Sequence, residues 1–484
     1  MELRNPELLR SQCFAAGTWF ANKKSAQTTV INPATEESIG TVPQVDSAET
    51  EAAIAAASAA WNSWKSTSAA KRSALLHEWQ QLIRTHLDDL AVIMTSEQGK
   101  PLAESRGEIQ HSANYIKWYA EEAKRLYGET IPSNQPNTRL IVLRQPVGVC
   151  AAITPWNFPM STVARKIAPA LAVGCTVVVK PAKQTPFSAL ALAFLAEKAG
   201  FPAGVINVVT GQSKEIGPML ATHPHIRSLS FTGSTEVGRL LMGLSATTAK
   251  KLSLELGGHA PFLVFDDADL DAAVQGVLAS KFRNSGQTCV AANRMFVHKK
   301  VYAEFCQKLV SAVLQLRLGN GMLPGMDQGP LIDRCALLKV EEHIKDALQK
   351  GARLACGGDR RPGKGHFFHP TVLLNANEQM LIFQEETFGP VLPISLFEHE
   401  EKAIASANNT PYGLAAYLYS RNMGRIQRVA EALDCGMVGV NTGKMSSEAI
   451  PFGGVKASGF GREGARHGLD EFLETKYLCV NLGN

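Results

Sequence analysis

At roughly 100–200 residues per domain, a chain of 484 residues makes about two to four compact units, and 45% hydrophobic with 19% charged content excludes a disordered polymer. Lys and Arg number 49 against 44 Asp and Glu, so a net charge of +5 is spread without any block of like charge and no nucleic-acid partner is expected. The nine cysteines form no C-x-x-C pair in a chain too long to need covalent staples, which points to free thiols in a reducing compartment, with the cytoplasm as the expected location.

In chain order, Met1 to Cys13 mixes Glu2, Arg4, Glu7 and Arg10 with no apolar run, so neither a secretory nor a transit leader is expected. Residues 47–127 carry Trp61, Trp64, Leu75, Leu76, Trp79, Leu82 and Ile83 at spacings of three and four, and predict several amphipathic helices. From Thr138 extended runs take over, first Leu140–Leu143 and then Gly148–Ile153. Four strand-loop-helix units follow. Ala151–Ile153 precedes Thr154-Pro155-Trp156-Asn157, Val177–Val179 precedes Lys180-Pro181, Val205–Val209 precedes Thr210-Gly211, and Leu229–Phe231 precedes Thr232-Gly233-Ser234. This rhythm predicts an α/β fold with a doubly wound parallel sheet, whose ligand crevice lies where these polar loops leave the strands. The longest apolar run, Ile167–Val179, contains Pro169 and Gly174 and stops at Lys180, too short to span a bilayer. A second alternation through Ala260–Phe265, Arg294–Val297, Pro370–Leu373, Val391–Phe397 and Gly436–Val440 predicts a second α/β domain beyond a soft boundary near 250–258.

Cys289 closes the run Phe282-Arg-Asn-Ser-Gly-Gln-Thr288, where small and polar neighbours leave a thiol accessible; a buried structural cysteine is the alternative. Glu255 ends an alternating strand just before Gly257-Gly258. Apolar walls would raise its pKa toward that of a general base, and the glycines would admit a close neighbour; a solvent-facing or Lys-paired Glu is the alternative. Gly233-Ser-Thr-Glu-Val-Gly238 opens a helix but matches neither the G-x-G-x-x-G fingerprint nor a nucleoside-triphosphate loop. Lys180, at a strand end, suits ribose hydroxyls or phosphate, or is a plain surface lysine. His223-Pro-His225 and His366-x-x-His369 lack ligand partners, and no metal is expected.

Seven segments in register resemble the NAD(P)-dependent aldehyde dehydrogenase superfamily: Thr154-Pro-Trp-Asn-Phe-Pro159, Lys180-Pro-Ala182, Phe231-Thr-Gly-Ser234, Leu254-Glu-Leu-Gly-Gly258, Gly286-Gln-Thr-Cys289, Glu386-Thr-Phe-Gly-Pro390 and Pro451-Phe-Gly-Gly-Val-Lys456. Lys281–Cys289, Pro186–Ala193 and Gly459–Gly464 are similar to its succinate-semialdehyde branch, and glutarate-semialdehyde oxidisers share much of them. The resemblance implies a dinucleotide-binding domain at 1–125 and 146–254, a catalytic domain at 255–445, oligomerisation segments at 126–145 and 466–484, and a return segment at 446–465 lining the substrate site. A homodimer or homotetramer is the implied assembly.

The resemblance also implies the roles. Cys289 adds to the aldehyde carbon, the Asn157 amide and the Cys289 N–H hold the oxyanion, and Glu255 activates water against the thioester. Trp156, Asn157, Lys180, Gly233, Ser234, Leu256 and Glu386 line or hold the cofactor. Lys183 stands where strongly NAD-preferring members tend to carry a glutamate, so NADP is the expected cofactor, with NAD possible. Arg165, Arg283 and Ser446 are expected to bind a carboxylate tail, although either Arg has the alternative of pairing with a structural acid. Some relatives carry a second cysteine two residues after the nucleophile; this chain has Ala291 there, so that redox switch is expected to be absent. Rival readings are a catalytically silent member of the fold and a thiol acyl hydrolase without cofactor.

Overall fold

The computed structural model describes residues 2–22 and 26–483. The predicted helical stretch forms Ser47–Lys65, Ala69–Thr85, Leu87–Gln98 and Leu102–Glu122. The first is started by a capping box between Asp46 and Glu49, and the second by the Ser68 side chain. The apolar faces of the last three, with Trp79 fully buried, pack over one face of the first sheet, whereas the first sets Ala53, Ile54 and Ala57 against the other face and reaches the three-helix cluster through Trp64.

That sheet contains the strands β1 (Val149–Ile153), β2 (Thr176–Lys180), β3 (Ile206–Val208), β4 (Ile226–Thr232) and β5 (Lys251–Glu255). They run parallel in the order β3-β2-β1-β4-β5, doubly wound as predicted, with the order reversing between β1 and β4. The helices Ser161–Val173, Phe187–Lys198, Ser213–Thr222 and Thr235–Ser245 follow the first four strands. Ile167–Val179 is therefore the end of a helix and most of a strand, separated at Gly174, whose φ of 103° closes the helix. Among the described residues no helix is long and apolar enough to cross a membrane.

Antiparallel strands complete both edges of this sheet. Cys13–Ala15 pairs with β3 and with Thr18–Phe20, and Gly459–Phe460 pairs with β5, Gly459 opposite Glu255. These short N-terminal strands carry no alternation long enough to read from sequence.

The second sheet consists of β6 (Ala260–Val264), β7 (Ala292–His298), β8 (Thr371–Leu374), β9 (Val391–Phe397), β10 (Ala415–Tyr419) and β11 (Met437–Val440), parallel in the order β8-β9-β7-β6-β10-β11, with Arg353–Cys356 antiparallel on β8. β10 was not anticipated. Its fully buried Ala-Ala-Tyr-Leu-Tyr run has no period to distinguish strand from buried helix. A third sheet projects from the body, where Leu473–Asn481 pairs with Thr138–Pro146, itself paired with Glu129–Ile131.

Candidate active site

A cavity of about 280 Å³ lies between the two sheets, at the carboxyl ends of β1, β4 and β5. Ten of the residues singled out in the sequence line it: Trp156, Asn157, Arg165, Gly233, Ser234, Leu256, Arg283, Cys289, Glu386 and Ser446. Glu255 lies beside it and not on its wall. Lys180 and Lys183 stand away from it, at the end of β2.

Cys289 is partly exposed to the cavity, whereas Cys175 and Cys306 are buried. Its loop is held in a costly conformation, with Asn284 and Ser285 at φ of 51° and 54°. Both are tied down. The Glu104 carboxylate accepts from Asn284 N (2.9 Å), Gln98 Nε2 donates to Asn284 Oδ1 (3.0 Å), and Ser285 Oγ donates to Gly329 O (2.8 Å). Burial pushes the Cys289 thiol up to about 12, against the pull of Arg165 and Arg283, so the small polar neighbours provide access but do not stabilise a thiolate in the unliganded protein.

Glu255 is 2% exposed, and neither carboxylate oxygen has a hydrogen-bond partner among the described residues. Burial first, and then Glu463, hold its pKa well above the ordinary carboxylate range, the direction that a general base needs. The solvent-facing alternative is thereby removed. Room for it comes from Gly453, where a Cβ would lie 2.9 Å from Glu255 Oε1.

Asn157 Nδ2 donates to Gln287 O (3.0 Å), which leaves one amide hydrogen for a substrate. Arg165, buried in the helix Ser161–Val173, has the structural partner that its alternative reading required. Its Nε lies 3.0 Å from Glu463 Oε2 as an ion pair without hydrogen-bond alignment, and its guanidinium covers Phe452. Burial opposes its charge, but Glu463 and Tyr115 outweigh burial and raise its pKa. Arg283 differs: among the described residues it makes no ion pair, and its buried Nε has no acceptor. It is the free cation of the cavity. The Ser446 position lies on the wall, whereas Ser447 turns its carbonyl to Tyr115 Oη (3.1 Å).

The residues expected at the cofactor carry groups that would suit a dinucleotide. Gly233 and Ser234 open the helix Thr235–Ser245, where Ser234 Oγ accepts from Val237 N (3.3 Å), and the buried Thr232 Oγ1 beside them has no partner. Lys180 Nζ donates to Ser213 Oγ (2.7 Å); burial and the exposed Lys183 bring its pKa down to about 8, a strain that a phosphate would relieve. Glu386 accepts from Gly258 N (3.2 Å), and burial pushes it up to about 7. Among the described residues no group of three or more His, Cys, Asp or Glu gathers as a metal site.

Sequence reasoning missed one helix face. Glu104, Glu108, His111 and Tyr115 on Leu102–Glu122 are spaced by four, three and four, so they share a face. They meet the cysteine loop, the Asn157 loop, the cavity and the return segment in turn. A carboxylate, carboxylate, histidine and tyrosine at helical spacing is the signal that would have revealed it. Burial, with Arg165 and Arg283 nearby, brings His111 down to about 4, so it is neutral near pH 7.

Among known proteins, the aldehyde dehydrogenase family profile matches residues 19–478. The chain is 54% identical over 482 residues to the NADP-dependent succinate-semialdehyde dehydrogenase of Escherichia coli K12, and 54% identical over 482 residues to a glutarate-semialdehyde dehydrogenase of Pseudomonas putida KT2440, covering 100% of all chains concerned. The crystal structure of succinate-semialdehyde dehydrogenase from Burkholderia pseudomallei is 56% identical and superposes with a TM-score of 0.98, covering 99% of this chain and 100% of that one.

Proposed function

This chain belongs to the aldehyde dehydrogenase family, and from that premise we propose that it oxidises succinate semialdehyde to succinate with NADP as the preferred acceptor and NAD as a possible one. The observation that carries the substrate is the unpaired Arg283 guanidinium, which lines the same cavity as the Cys289 thiol and offers a fork for a tail carboxylate. Arg165 and Ser446 complete the anion end.

Cys289 adds through sulfur to the aldehyde carbon, its proton passing to water as the new C–S bond forms. The free hydrogen of the Asn157 amide and the Cys289 N–H face the oxygen that becomes negative, a donor of that kind being worth about 3–4 kcal/mol. Lys180, Lys183, Gly233, Ser234 and Glu386 would hold NADP, with Trp156 and Leu256 alongside, and the bound dinucleotide would supply the two-electron acceptor for oxidation of the thiohemiacetal to the thioester. Glu255 then takes a proton from water as the water attacks the thioester carbon, releasing the acid and the thiol.

Several coarser features support the rest of the reading. The dinucleotide-binding unit is 1–125 with 146–254, the catalytic unit is 255–445, and 446–465 returns over the site. All nine cysteines are free, which suits the cytoplasm. Tyr477, Val480 and Ile131 are exposed on the projecting sheet formed from 126–145 and 466–484, and a second copy covering that edge gives a homodimer or homotetramer.

Steady-state kinetics with succinate semialdehyde, glutarate semialdehyde and propanal, each with NADP and NAD, test the proposal. The highest kcat/KM is expected for succinate semialdehyde with NADP. A higher value for the five-carbon substrate would assign the enzyme to glutarate semialdehyde, and equal values for propanal would remove the tail-binding role.

A further inference from the structure

Behind Asn157 lies a buried ion pair that the reaction does not use directly. Lys100 Nζ donates to Glu108 Oε2 (2.6 Å) and to the backbone oxygen of Asn157 (2.7 Å), and it lies 4.1 Å from the Phe158 ring centroid. Glu108 Oε1 accepts from Met160 N (3.0 Å) and Ser161 N (3.1 Å). Those amides open the helix Ser161–Val173, whose N-cap Met160 has no side-chain hydrogen bond of its own. The two charged groups thus grip residues 157–161 from both ends, by a carbonyl at one and by amides at the other.

Lys100 and Glu108 are 2% and 6% exposed, and neither lines the cavity. Burying both charges offsets most of what their attraction gains, so replacing such a pair with uncharged groups often leaves stability unchanged. What the pair does deliver is geometry. The Asn157 backbone oxygen also accepts from Asn284 Nδ2 (3.0 Å), and the Asn157 side chain donates to Gln287 O (3.0 Å), so its second amide hydrogen is aimed by wherever the main chain at 157 is held.

We propose that Lys100 and Glu108 are positioning residues that aim the Asn157 amide at the oxygen of the reacting aldehyde. This rests on the reading of Asn157 as oxyanion donor. Lys100 fixes the carbonyl of residue 157, Glu108 fixes the helix start three residues on, and the amide between them is left one orientation. Displacement by about 1 Å is enough to cost about 10²-fold in rate. Ground-state binding of aldehyde and cofactor does not use this contact, so kcat falls while KM stays.

The double substitution K100M/E108Q tests this in the full-length enzyme, because Gln keeps an oxygen for the Met160 and Ser161 amides, the two charges of the pair leave together, and Glu104 keeps Arg283 nearby. With succinate semialdehyde and NADP, kcat is expected to fall about 10²-fold with both KM values within about threefold. A primary isotope effect with aldehyde deuterated at the reacting carbon is expected to shrink toward one, as thiol addition, the step that the oxyanion donor serves and that breaks no C–H bond, becomes limiting. In an Asn157→Ala background the same double change is expected to cost less than about threefold, since the amide to be aimed is gone.

Parent-like kcat in a folded double variant overturns the proposal, as does a full additive loss in the Asn157→Ala background. Parent-like kcat in Asn157→Ala alone instead overturns the oxyanion reading, and the positioning role with it. Should the double variant fail to fold, Lys100→Arg decides. Its larger planar head keeps the charge beside Glu108 but moves the donor from the carbonyl, so a lower kcat at unchanged KM supports the proposal and an unchanged kcat overturns it.

Discussion

The carbonyl oxygen of Cys289 abuts Gly258 so closely that a Cβ at Gly258 would collide with it. Gly258 therefore serves the nucleophile's backbone, while Gly257 beside it makes room for Glu386. Gly258→Ala is expected to push the Cys289 loop outward and lower kcat by about 10²-fold, the order associated with a 1 Å misplacement. Rapid-quench and steady-state rates check this; an unchanged kcat would mean that the loop yields freely.

Arg283 and Arg165 are expected to respond differently to truncation. Removing Arg283 deletes an unpaired donor, worth about 1.5–3 kcal/mol to a carboxylate, so kcat/KM for succinate semialdehyde falls roughly 10–150-fold while propanal is unaffected. Removing Arg165 deprives Glu463 of one of its two buried cations, the other being Lys166 at 2.6 Å, so thermal stability falls together with activity on both substrates. Melting curves beside the kinetics distinguish the two cases.

Thiol reactivity should follow pH steeply. With burial holding Cys289 near 12, the thiolate fraction of the unliganded enzyme rises about tenfold per pH unit through the neutral range. Iodoacetamide inactivation of unliganded enzyme is expected to accelerate from pH 7 to 9 without a plateau. A plateau near pH 8 would show that the thiol is already activated.

Lys183 is the position to exchange for cofactor choice. Lys183→Glu replaces attraction to a 2′-phosphate with repulsion, and the ratio of kcat/KM for NADP over NAD is expected to fall by about tenfold or more, less at high salt because the residue is exposed. An unchanged ratio places the discrimination elsewhere.

Glu97 gives a stability signature. It accepts from Phe187 N and Ser188 N, both at 2.8 Å, at the start of the helix Phe187–Lys198, and burial pushes it from 4.5 up to about 8. A raised carboxyl pKa means that the folded state binds the extra proton. Its stabilisation is full below about 4.5 and is lost as pH rises to about 8. Glu97→Gln should flatten the fall in Tm across that window.

Where the sequence was legible, one physical rule applied locally. The parallel strands β1 and β2 are buried on both faces and read as apolar runs, β4 reads through its Leu229-Ser-Phe231 core, and the polar loops after β1 and β4 gave Trp156, Asn157, Gly233 and Ser234 directly. Cys289 had a local sign in its small and polar neighbours but took its role from the family's motif order, and Glu386 and Arg283 came through that order alone. Partnerships across long separations were not legible. Arg165 meets Glu463, Lys100 meets Asn157, and Glu104 meets Asn284, each fixed by folding and by no local pattern. Small neighbours in sequence likewise do not reveal how deeply the Cys289 loop is enclosed, which is what pushes its thiol up.

Ser446, Phe452, Gly459 and Glu463 all arrive near the end of the chain, yet they wall the cavity, flank Glu255 and neutralise Arg165. A nascent chain emerging from the ribosome therefore displays its reactive sulfur well before it can close the chamber around it. A chain stopped before Ser446 is expected to keep Cys289 and most of both sheets yet show no turnover, since the wall, the strand beside Glu255 and the partner of Arg165 are then missing.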